Sequence, residues 1–92
     1  MTTTQSLSPT TASGIARVLK RHHLNTVPDY RREGIVVRAG RTGQVSVSVT
    51  IDRPSLAARN AAAAREVLTA AGYALQEDSV GVGFTVLGRI VS

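Results

Sequence analysis

The sequence contains no cysteine and no tryptophan. Without cysteine there can be no disulfide bridge, no thiolate metal site and no thiol nucleophile. Only three aromatic residues are present, which argues against recognition of single-stranded nucleic acid by serial base stacking. The chain has no apolar run of membrane-spanning length, and its N-terminal residues lack the basic and apolar regions of a signal peptide. We therefore expect a cytoplasmic protein without membrane contact.

Acidic residues are scarce, with six against eleven basic ones and a net charge of +5. The imbalance lies in the first half: residues 1–50 hold seven basic and two acidic side chains, and residues 51–92 hold four of each. A local excess of positive charge attracts polyanions. A chain of 92 residues also forms only one small domain, whose limited core favours self-association as an alternative.

No pattern of catalytic or metal-binding residues is present. There is no G-x-S-x-G motif, no pair of carboxylates at one-face helical spacing, and no phosphate-binding glycine loop, since Val86 stands where the fingerprint starting at Gly81 needs its last glycine. His22 and His23 are adjacent on a predicted helix, so their side chains diverge and cannot chelate one ion. We place His22 at the core edge and His23 in solvent. The sequence predicts a non-enzymatic protein with no metal, no cofactor and no small-molecule substrate.

The chain divides into a disordered Ser/Thr-rich tail, residues 1–11, and a single domain, residues 12–92. The first predicted helix begins near Ala12 with Thr11 or Ser13 as its cap and runs to about His23. The second is opened by Asp52 and Pro54, since proline is favoured at the first helical position, and it ends at Gly72.

The segment QVSVSVTI, residues 44–51, alternates strictly between apolar and polar residues and predicts a strand with one buried face. It follows GIVVRAG through a predicted three-residue loop that ends at Gly43. This loop length pairs Ala39 with Val45, Val37 with Val47 and Ile35 with Val49. The other face then carries Val36, Arg38, Ser46, Ser48 and Thr50.

The C-terminal segment predicts a second hairpin, YALQE followed by VGVGFTVLGRIV. In its last strand one face carries Val80, Val82, Phe84, Val86 and Ile90. The other face carries Gly81, Gly83, Thr85, Leu87, Arg89 and Val91. The predicted fold is α+β, a two-layer α/β sandwich of order αββαββ with an antiparallel sheet and both helices on one face.

Two functions follow from these patterns. In the first, an arginine-rich surface binds nucleic-acid phosphates, largely through electrostatics and counterion release. The candidate contacts are the basic side chains of the first half: Arg17, Lys20, Arg21, Arg31, Arg32, Arg38 and Arg41. The alternative is a homo-oligomeric or partner-binding module, which associates through the small-residue strip of Ala58 and Ala62 or through the outer sheet face.

Four segments carry a family resemblance: SPTTASGIARVLKRHHLN, RREGIVVRAG, the V-x-V-x-V strand and ARNAAAAREVLTAAGYAL. Across residues 8–76 the chain resembles small proteins of actinobacteria and their phages that have no assigned activity. The resemblance implies an accessory protein of a host or phage and transfers no site residues. In place of the glycine that usually follows the first helix, this chain has His22, His23 and Leu24.

Overall fold

The computed structural model describes residues 6–29, 31–40, 43–50, 53–78 and 82–91. The described chain is α+β, with two helices and a mixed sheet. The helices are α1 (Ala12–Arg21) and α2 (Pro54–Ala70). The strands are β1 (Leu7–Ser8), β2 (Thr26–Val27), β3 (Ile35–Ala39), β4 (Val45–Val49), β5 (Tyr73–Glu77) and β6 (Phe84–Ile90).

The β3–β4 hairpin has the predicted register. Ile35 pairs with Val49, Val37 with Val47 and Ala39 with Val45. Gly40 N–H donates to the carbonyl of Gln44 at 3.0 Å, and Gly43 has a φ of 77°, a left-handed conformation that glycine adopts without steric cost. Alternation and loop chemistry therefore fixed the pairing together, because a register shift of one residue would have exposed every valine of β4.

The predicted order αββαββ and the wholly antiparallel sheet are corrected by two short strands. The observed order is βαβββαββ, and β2 pairs in parallel with β3. Along one edge β6 pairs with β5, and along its other edge it pairs with β4 and then with β1. Two-residue strands have no periodicity of their own, so an alternation of apolar and polar residues does not predict their pairing.

Strand β1 lies within the segment predicted to be a disordered tail, residues 1–11. Leu7 pairs with Ile90 and Ser8 with Arg89. Val91 N–H donates to the carbonyl of Ser6, and Thr10 N–H donates to that of Gly43, both at 3.1 Å. These backbone bonds offset the ordering entropy that a polar sequence could not recover by burying side chains. Residues 1–5 lie outside the described residues.

The core is one cluster to which both helices and three strands contribute. Its buried members are Ile15, Leu19, Ile35, Val45, Val47, Val49, Ala57, Ala61, Ala64, Leu68, Phe84 and Val86. Three of the four buried positions on α2 are alanine, which allows its backbone to approach neighbouring elements closely. Of the predicted caps, Thr11 is the one that forms: its hydroxyl accepts from Gly14 N–H at 3.1 Å. Within the described chain, no helix is long and apolar enough to cross a bilayer.

The predicted outer face is only partly open to solvent. Val36 is fully buried although it lies outside the core cluster, and Thr50 is 4% exposed. The hydroxyl of Thr50 donates to the carbonyl of Arg32 and its N–H donates to that of Gly34, so the segment preceding β3 is tied to the end of β4. The sheet therefore offers a smaller open face than the alternation predicts.

A β-bulge in β6 reverses the predicted facing of its last residues. The register runs from Leu75 opposite Val86 to Ala74 opposite Gly88, so Leu87 is the extra residue. One inserted residue exchanges the two faces of a strand. Arg89, opposite the partly buried Tyr73, thus joins the core side, and Ile90 leaves it, the reverse of the prediction.

Gly88 is buried where β1 crosses the end of β6. A Cβ at this position would lie 2.9 Å from the carbonyl oxygen of Ser8 and 3.0 Å from Cβ of Leu7. We expect Gly88→Ala to lower the free energy of unfolding by about 1–3 kcal/mol, because β1 must shift and because residues with a Cβ rarely adopt the φ of 157° found here. Urea denaturation followed by circular dichroism measures the change.

Gly40→Ala is the matched control for this experiment. Its Cβ would come no closer than 3.5 Å to the carbonyl oxygen of Gln44, an ordinary contact. We expect its stability to remain within about 0.5 kcal/mol of the parent chain or to rise slightly. If both variants were equally stable, the packing of β1 against Gly88 would be refuted.

Candidate nucleic-acid interface

Helix α1 presents its basic residues on an exposed side because its apolar residues are spaced for burial on the other. Ile15 and Leu19, four residues apart, are fully buried, whereas Arg17, Lys20 and Arg21 are exposed. The helix sequence ASGIARVLKR contains no acidic residue. Three positive charges therefore occupy two turns of helix with no carboxylate among them.

Beside α1 lies an open cleft of about 320 Å³, here called the Tyr73 cleft. One wall is α1, and the other is formed by the end of α2 and the paired strands β5 and β6. Its lining residues are Gly14, Arg17, Val18, Arg21, His22, Ala71, Tyr73 and Arg89. A neighbouring cleft of about 390 Å³ is lined by Ser13, Ala16, Arg17 and Lys20. Because Arg17 lines both, the positive charge is continuous across the exposed side of α1.

The guanidinium groups at the Tyr73 cleft have no internal partner among the described residues, whereas Arg65 has one. In the described part of the chain, no hydrogen bond or ion pair engages the side chains of Arg17, Arg21 or Arg89. Arg65, by contrast, forms a bidentate pair with Glu77 at 2.6 and 2.8 Å. It also donates to the carbonyl of Val82 at 2.8 Å, and its Cζ lies 5.2 Å from the centre of the Phe84 ring.

Two carboxylates nearest the remaining predicted arginines are also engaged. Glu33 Oε1 is buried without a hydrogen bond and lies 3.3 Å from Arg53 Nε, so the two groups form an ion pair. The Arg53 side chain is 72% exposed, and solvent screening weakens the pair. The carboxylate of Asp29 accepts from the backbone N–H of Arg31 at 3.0 Å. Arg31 and Arg32 are exposed, and they lie in a loop that carries both acidic residues.

The predicted contact residues that the structure describes do not all share one surface. Arg17, Lys20 and Arg21 lie together on α1, and Arg31 and Arg32 lie in the loop before β3. Arg38 alternates with Val37 and Ala39 along β3 and so lies on the sheet face opposite the core cluster. Arg38 is also not free of interactions. Arg41 lies outside the described residues. The expected common surface of the N-terminal arginines is therefore corrected to a smaller group on α1.

Arg89 was not among the predicted contacts, yet it faces Arg17 and Arg21 across the Tyr73 cleft. In the sequence Arg89 lies 68 residues after Arg21, in the half of the chain that has no net charge. The bulge at Leu87 turns its side chain toward α1. His22 is the C-cap of α1 and is exposed, which corrects its predicted place at the core edge.

The chemistry of the site is that of anion binding. It offers guanidinium, ammonium and imidazole groups, and the lining of both clefts includes no carboxylate. Within the described residues, no group of three or more His, Asp or Glu side chains could hold a metal ion.

No protein-family model, curated protein or solved structure matches this chain. The resemblance to small actinobacterial and actinophage proteins stays a prediction.

Proposed function

We propose that this protein is a non-enzymatic, cytoplasmic accessory protein that binds nucleic acid through the α1 basic surface, defined as Arg17, Lys20, Arg21 and Arg89. The single observation that carries the proposal is the gathering of these four cations, with no internal partner among the described residues, around clefts whose lining contains no acidic group. Such a surface attracts a polyanion and releases its condensed counterions on binding.

The fold supports this use of α1. Ile15 and Leu19 anchor the helix in the same cluster as Val47 of β4 and Leu68 of α2. We assume that both helices lie on one face of the sheet. The polar side of α1 is then open to a ligand. Guanidinium groups on a rigid, anchored helix lose less conformational freedom when they contact phosphate oxygens than groups on a loop do.

Salt dependence tests the proposal. If all four cations contact phosphates, the logarithm of the binding constant for duplex DNA should fall with the logarithm of salt concentration at a slope of about −3.6. Between 50 and 200 mM salt this slope weakens binding by roughly 150-fold. Fluorescence anisotropy of a labelled duplex measures it. Binding that did not change across this range, or no binding at 50 mM, would refute the proposal.

A second function is favoured by an apolar patch at the end of β1 and β6. Leu7 is 41% exposed and Val91 is 58% exposed, and the two are brought together by the bond from Val91 N–H to Ser6. Ala58 and Ala62, the predicted contact strip of α2, are exposed as well. The alternative is therefore a homo-oligomer or a module that binds a partner protein. Light scattering in the same salt series separates the two, because apolar association persists or strengthens as salt rises.

A further inference from the structure

The Tyr73 cleft differs from the rest of the α1 basic surface in having two basic walls. Arg17 and Arg21 lie on α1, and Arg89 lies on β6 beside Tyr73. A duplex that lies over the exposed side of α1 can contact Arg17, Lys20 and Arg21 without entering the cleft. A group that enters the cleft meets cations on both sides, and Tyr73 adds a phenolic hydrogen-bond donor.

The charge of the cleft exceeds that of one backbone phosphate. Its three guanidinium groups carry three positive charges. The helices α1 and α2 both end at the cleft, with His22 and Ala71 as their C-caps, and each helix C-terminus contributes about −0.5 charge. The sum is about +2. A phosphodiester carries one negative charge, whereas a phosphomonoester carries about −1.5 to −2 at pH 7.

The size of the cleft agrees with a terminal group. A volume of about 320 Å³ lies at the lower end of ligand sites, which suits a phosphate and its sugar better than a strand passing through. The charge and the size of the Tyr73 cleft thus both favour a terminal phosphate group as the ligand. We propose that the Tyr73 cleft binds the phosphomonoester at the end of a nucleic-acid strand, with Arg17, Arg21 and Arg89 as its contacts. This inference rests on the proposed function and adds an end preference to it.

The test compares two DNA duplexes of one sequence that differ only in a 5′-phosphate or a 5′-hydroxyl group. Anisotropy at 100 mM salt should show binding about tenfold tighter for the phosphorylated duplex, the effect of one or two added charge-assisted hydrogen bonds. Arg89→Gln should remove this difference, and Arg89→Lys, which keeps the charge but loses the planar fork, should restore part of it. Arg59→Gln, on the exposed side of α2, should keep the full difference.

A third arm uses phenyl phosphate alone, followed by amide chemical shifts of the labelled protein. Shift changes at Tyr73 and Arg89 that are absent in Arg89→Gln support the anion site independently of any polymer. If both duplexes bind equally and phenyl phosphate causes no shifts, the end preference is overturned while the proposed function stands. If phenyl phosphate binds and neither duplex does, the proposed function fails and the cleft is a site for small phosphomonoesters. If nothing binds, both proposals fail.

Discussion

Replacing Phe84 by Ala is expected to lower the free energy of unfolding by about 3–5 kcal/mol, the largest stability effect of any substitution considered for this chain. Phe84 has the largest fully buried side chain among the described residues, and it pairs with Val47 of β4 and Glu77 of β5. Truncation leaves a cavity at the centre of the sheet and removes the ring beneath Arg65. Small domains have a total stability of only about 5–15 kcal/mol, so the variant should be close to unfolding.

Urea denaturation followed by far-ultraviolet circular dichroism measures this loss. Val91→Ala is the control, because it also removes apolar atoms but from a residue that is 58% exposed, and its effect should stay within about 0.5 kcal/mol. Phe84→Leu keeps most of the volume and should fall between the two variants. A Phe84→Ala protein as stable as Val91→Ala would contradict the core described above.

The parts of the fold that could be predicted are those in which one local signal agrees with another. The alternation from Val45 to Val49 has a period of two, and Gly43 supplies the positive φ that a three-residue loop requires. Together the alternation and the loop allow one register of the β3–β4 hairpin. The two ends of α2 could be predicted in the same way, because Pro54 suits a first helical position and Gly72 follows the C-cap.

The parts that could not be predicted depend on pairing between distant segments. Strand β1 is only Leu7 and Ser8, and it is ordered because β6 leaves an open edge beyond β4. No periodicity in a Ser/Thr-rich stretch indicates this. The bulge at Leu87 did leave a signal, because an isolated glycine such as Gly88 inside a strand pattern is typical of a bulge or a close backbone approach.

The candidate site was predicted in part for the same physical reason. A helix holds its residues at fixed spacing, so the run RVLKRHH predicts that Arg17 and Arg21 share one side, as they do. Charge density along a loop and a strand does not imply proximity in space, and Arg38 lies on the sheet face opposite the core cluster. Arg89 required the β6 register, since a shift of one residue decides which side of the sheet it occupies.

Reversing the charges of Arg17 and Arg21 to Glu is expected to abolish measurable binding of duplex DNA at 100 mM salt. At this concentration each phosphate contact contributes about eightfold to the binding constant through counterion release, so losing two contacts costs roughly 60-fold before any repulsion. The salt slope should also fall by about 1.8. Arg21 lies in the last turn of α1, where a cation suits the helix dipole, so we expect a stability loss of about 1 kcal/mol or less.

The matched control is Arg53→Glu with Arg59→Glu, which changes the net charge by the same amount on α2. Arg59 precedes Ala71 by twelve residues, about 18 Å along the helix axis, so the control leaves the Tyr73 cleft unchanged. A glutamate at position 53 loses the ion pair with Glu33 and is repelled by it, and the N-terminal end of the helix dipole offsets part of this cost. The melting temperature of the control is therefore measured beside its binding. If both double variants weakened DNA binding equally, net charge alone would account for the affinity, and the α1 basic surface would have no specific role. If the control binds as the parent does and the α1 variant does not, the affinity belongs to the arrangement of cations on α1.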